Sequence, residues 1–137
     1  MTDADTAAVA TPAADAAELF RSIALHNAGT VVMVMAVTFS SMGLLTVPLS
    51  AWQGFILGLV ATMYPGYAVV IVAALEIGFL SGAAGFALCL SARIVAWLAE
   101  WRPLRVSPLP VAVSLIAIYG CVALAAAVET WSIQGRF

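Results

Sequence analysis

Between Arg21 and Glu76 lie 54 residues whose only ionisable side chains are His26, Tyr64 and Tyr67. A helix needs roughly 20 apolar residues to cross the hydrocarbon core of a bilayer. This stretch therefore holds two crossings, or one crossing and a surface piece. A water-soluble fold has no place for it. Of the 137 residues, 64% are hydrophobic and 9% charged, against about 25% charged in a soluble domain. A domain of this size keeps too much surface wet to hide the excess. The expected solvent is lipid, and the expected fold is an all-α membrane protein.

Residues 1–22 are rich in Ala, Thr and Asp, contain Pro12 and lack the basic start of a signal peptide. They are expected to form a disordered, acidic, cytoplasmic tail. A first span is expected over about 28–47, ended by Pro48, because proline breaks the helical hydrogen-bond ladder. Residues 51–63 make a piece too short to cross. With Trp52 and Gln53 at its start and Tyr64 and Tyr67 after it, an interfacial helix is expected, since aromatic rings settle at headgroup level. Tyr64-Pro65-Gly66-Tyr67 reads as a turn. Further spans are expected over about 68–97 and 109–128. The expected architecture of the single transmembrane domain, 23–137, is thus three transmembrane helices plus a short interfacial helix.

Net charge is −2, lysine is absent, and the five positive charges are Arg21, Arg93, Arg102, Arg105 and Arg136. No basic footprint for nucleic acid exists. With three spans, Arg21 and the Arg93–Arg105 region fall on one side of the membrane. The positive-inside rule then places the N-terminus in the cytoplasm and the C-terminus in the periplasm. Trp97, Trp101, Arg102 and Arg105 are the expected cytoplasmic interface anchors.

Cys89 and Cys121 lie in apolar runs, without the neighbours of a metal motif. A lone His26 cannot supply two axial haem ligands. No nucleophile elbow, phosphate loop or zinc-protease motif occurs. No cofactor, metal or catalytic residue is expected, and the chain reads as non-enzymatic.

Glu76 is the sharpest polar feature, because a carboxylate within a span is costly unless it is protonated, paired or near water. It is expected to mark an ion or proton site, a contact with a partner, or a locally hydrogen-bonded acid. Gly78, Gly82 and Gly85 form a small-residue seam of the kind that lets helices approach closely in lipid. At 100° per residue the seam and Glu76 lie on opposite faces. The expectation is that the seam packs within the chain, leaving Glu76, Val69, Ala83 and Ala87 free to meet something else.

Tyr64-Pro65-Gly66-Tyr67, followed by Gly78-Phe79-Leu80-Ser81-Gly82 and Gly85, resembles a family of small prokaryotic membrane proteins with Y-P-G-Y before a helix of the form G-F-x-x-G-x-x-G. These are often labelled bacteriophage-holin-like. The resemblance covers about residues 25–98 and implies a surface helix leading into a glycine-rich span. Ser81 stands where that family often has an acid, and the third span is an addition to its usual length. The bacterial inner membrane is the expected location.

The leading expectation for function is an accessory or scaffold subunit of a larger membrane assembly. Partners would be the lipid bilayer and another membrane protein or a second copy of the chain. The alternative is a holin-like or ion-conducting homo-oligomeric pore. A third reading is a small proton-coupled transport subunit built on Glu76.

Overall fold

A computed structural model describes residues 12–63, 66–100 and 106–135. It contains four helices and, among the described residues, no strand: α1 (Pro12–Ser40), α2 (Thr46–Met63), α3 (Tyr67–Glu100) and α4 (Pro108–Ile133). All four are long and apolar enough to cross a membrane.

Helix α1 begins well before the expected first span. Pro12 opens it, a position where the missing N–H costs nothing. The alanines that follow are the strongest helix formers, and Asp15 in the first turn complements the helix dipole. The stretch 12–22, expected to be disordered, is therefore helical, while 1–11 lie outside the described residues.

The end of α1 is set by backbone chemistry rather than by Pro48. Gly43 N–H donates to the Thr38 carbonyl (2.8 Å) and Met42 N–H to the Phe39 carbonyl (3.2 Å). This pair of bonds is a Schellman cap. It needs a left-handed residue, and Met42 takes φ 50° with Gly43 following at φ 88°. A Cβ on Gly43 would also overlap the Leu88 side chain of α3. The chain turns here and restarts at Thr46, whose hydroxyl donates to that of Thr38 (3.1 Å). Pro48 then falls in the first turn of α2, where no intrahelical N–H is required. Helix α2 is thus 18 residues rather than the expected 13-residue piece, or about 27 Å at 1.5 Å per residue.

Two sets of contacts fix the helix directions. At one end the Ser91 hydroxyl donates to the Phe39 carbonyl (3.4 Å, 52 residues apart). Nearer their starts, Val34 of α1 lines one cavity with Ile77 and Leu80 of α3. Helices α1 and α3 therefore run parallel. Helix α4 runs against both, since Ile118 meets Gly82 while its last turns share a groove with Ala16, Ala17 and Phe20 at the start of α1. Helix α2 carries the chain from the Thr38 level back to the start of α3. It touches α1 and α3 and makes no contact with α4.

The core lies between α1, α3 and α4. It comprises Val31 and Val34, then Phe79, Ala83 and Ala84, then Ile118, Val122 and Ala125. Alanine at the contacts brings the backbones close, which is how helices gain dispersion energy in lipid without a hydrophobic drive. Helix α2 contributes no buried residue to it.

Candidate functional site

Glu76 occupies the packed stripe of α3. At helical spacing it shares a face with Phe79, Ala83 and Ala87, and those three are buried. It stands roughly 13 Å along α3 from Tyr67. Its carboxylate is half-buried and feels the charge of Glu129 on α4 and of His26 on α1. Glu129 is also half-buried and also feels His26. Three helices thus bring two acids and one imidazole to the end of the bundle where α3 begins and α4 ends.

Two neutral polar residues complete this region. Asn27, next to His26, is 7% exposed, and its Nδ2 has no hydrogen-bond partner. It sits on the α1 stripe that continues through the buried Val31, Val34 and Thr38, so its amide is held in the core at the level of Glu76. Thr130, next to Glu129, is buried, with its hydroxyl donating back to the Ala126 carbonyl (2.7 Å). A groove of about 290 Å³ opens beside Thr130, lined by Ala16, Ala17, Phe20, Ala127, Trp131 and Gln134. The buried Gln134 Oε1 at its edge has no partner. The groove is mostly apolar, and Glu76, Glu129 and His26 are not among its lining residues.

The face assignment expected for α3 is reversed. Of the seam, only Gly82 packs within the chain, where an added Cβ would come to 3.2 Å from Ile118. Gly78 and Gly85 are exposed and face open space. The stripe read as free, Ala83 and Ala87 with Glu76, is the packed one. Its alanines allow the close approach that the glycines were expected to provide.

Gly66 and Tyr67 of the expected turn are exposed, with Tyr67 the first residue of α3; Tyr64 and Pro65 lie outside the described residues. Trp97 is exposed near the end of α3, while Trp101, Arg102 and Arg105 lie outside them as well. Among the described residues no group of three or more His, Cys, Asp or Glu is arranged to hold a metal ion. Glu129 was missed as a partner of Glu76 because the third span was drawn to stop at Val128. The signal was present: Thr130-Trp131-Ser132-Ile133 carries no helix breaker, and α4 runs on to Ile133.

The residues themselves must carry the functional reading, since no family model, no curated protein and no solved structure matches the chain.

Proposed function

We propose that this chain is a four-crossing membrane protein that binds and exchanges protons at the Glu76–Glu129 pair. The observation behind this is that Glu76 of α3 and Glu129 of α4 are both half-buried in one bundle, near enough for Glu76 to feel Glu129 and for both to feel His26 of α1. Acids in a membrane interior face one another, or water, where a proton or ion is handled. Repulsion between two such groups is relieved when a proton sits on one of them.

The fourth crossing is α2. It must bridge from the end of α1 to the start of α3, which lie at opposite ends of two parallel helices. An even number of crossings puts both termini on one side. Arg21 and Arg136 then oppose Arg93, Arg102 and Arg105. The positive-inside rule favours the α3–α4 connection in the cytoplasm and both termini outside. This replaces the arrangement expected for three spans.

Proton movement into liposomes under a potassium-diffusion potential, read by an internal pH dye, tests the proposal. The wild type is expected to acidify or alkalinise the lumen. Glu76→Gln should cut the rate at least tenfold and Glu129→Gln less, because Glu129 is nearer the helix end. Equal rates for wild type and Glu76→Gln would remove the carboxylates from the account.

A second reading, a subunit of a larger assembly, is favoured by the outward face of α3, where Gly78 and Gly85 are exposed and face open space. Small residues on a lipid-facing helix suit close approach by another helix. Native mass measurement after gentle extraction separates the two: a lone monomer would end this reading and leave the first intact.

A further inference from the structure

Between α1, α2 and α3 lies a second cavity of about 90 Å³. Its polar lining comes from Thr46, Ser50 and Gln53 of α2 and Ser81 of α3. The three α2 residues are spaced i, i+4 and i+7, so one helix face presents all of them. Gln53 falls within about 2 Å of the midpoint of α2, which places the cavity near the middle of the bilayer.

Three of these four groups lack side-chain partners among the described residues. Thr46 is bonded to Thr38. Among the described residues, Ser50, Gln53 and Ser81 make no side-chain hydrogen bond. Hydrocarbon offers such groups nothing, and leaving a hydroxyl or amide unmatched in lipid is costly. Something that donates and accepts hydrogen bonds has to meet them. The volume decides its size. An aromatic ring occupies a dry, purely apolar cavity of about 150 Å³, whereas a water molecule takes about 30 Å³.

We infer that this cavity is a midplane site for a cluster of about three waters, or for an uncharged solute of that size that both donates and accepts. The three hydroxyls and one amide supply both kinds of hydrogen-bonding atom. The wall residues Leu57 and Ile77 exclude anything charged and fully hydrated. The site is independent of the carboxylate proposal, because it stands on cavity, spacing and unmatched groups alone.

Cysteine accessibility tests it. Single substitutions Ser50→Cys, Gln53→Cys and Ser81→Cys are made, with Phe55→Cys as the control. Phe55 is at the same depth on α2 but 62% exposed to lipid. Vesicles are treated with a small uncharged methanethiosulfonate, which crosses the bilayer but reacts only where water lets the thiol ionise. Mass spectrometry reads each cysteine by its own peptide, so Cys89 and Cys121 remain in place. Cavity positions should react at least tenfold faster than Phe55→Cys. Rates equal to the control at all three would overturn the site, whether acyl chain or a partner helix fills it. The serine replacements are near-isosteric, so Ser50→Cys and Ser81→Cys keep the test decisive if Gln53→Cys fails to accumulate. Loss of proton flux in Glu76→Gln leaves this readout unaffected.

Discussion

Helix α4 and helix α2 are both apolar, yet they live in different surroundings. Helix α4 has mean hydropathy 2.5 in its most apolar window and buries Ile118, Val122, Ala125, Ala126 and Thr130. Helix α2 has 1.3 and buries nothing. It turns Trp52 and Phe55 outward as a tilted pair 6.0 Å apart, and keeps Thr46, Ser50 and Gln53 toward its neighbours. The usual sign of burial in water is inverted. In lipid, apolar side chains can face outward at no cost. Close approach in the core of α1, α3 and α4 comes from Ala83, Ala84 and Ala125 set among larger Val, Phe and Ile side chains, while α2 touches that core only at its edge through Leu49.

That contrast predicts a graded response to added side-chain volume. Gly43→Ala should cost most, about 3 kcal/mol, because it combines a left-handed backbone with overlap on Leu88. Ala83→Leu in the fully buried core should cost about 2 kcal/mol by overpacking. Ala61→Leu on exposed α2 and Gly78→Ala on the open face of α3 should stay within about 0.5 kcal/mol. Thermal unfolding in detergent ranks the four. A loss at Ala61 as large as that at Ala83 would erase the distinction between the two regions.

Much of the helical content was legible in the sequence because three runs are long, apolar and free of charge. What could not be read was which short-range signal ends a helix. Pro48 looks like a terminator, but the Schellman bonds to Thr38 and Phe39 had already ended α1. That moved proline into a first turn and lengthened α2. The same one-residue margin hid Glu129. The faces of α3 were readable as faces, since Glu76 and the glycines lie on opposite sides. Which side packs depends on α1 and α4, and no local pattern carries that.

The parallel course of α1 and α3 is the geometric fact on which the crossing of α2 rests. Side-specific labelling of single cysteines at Asp5, Ser107 and Gly135 in sealed, uniformly oriented vesicles measures its consequence directly. The account predicts Asp5 and Gly135 labelled from one side and Ser107 from the other. Asp5 and Gly135 labelled from opposite sides would mean an odd number of crossings and would contradict it.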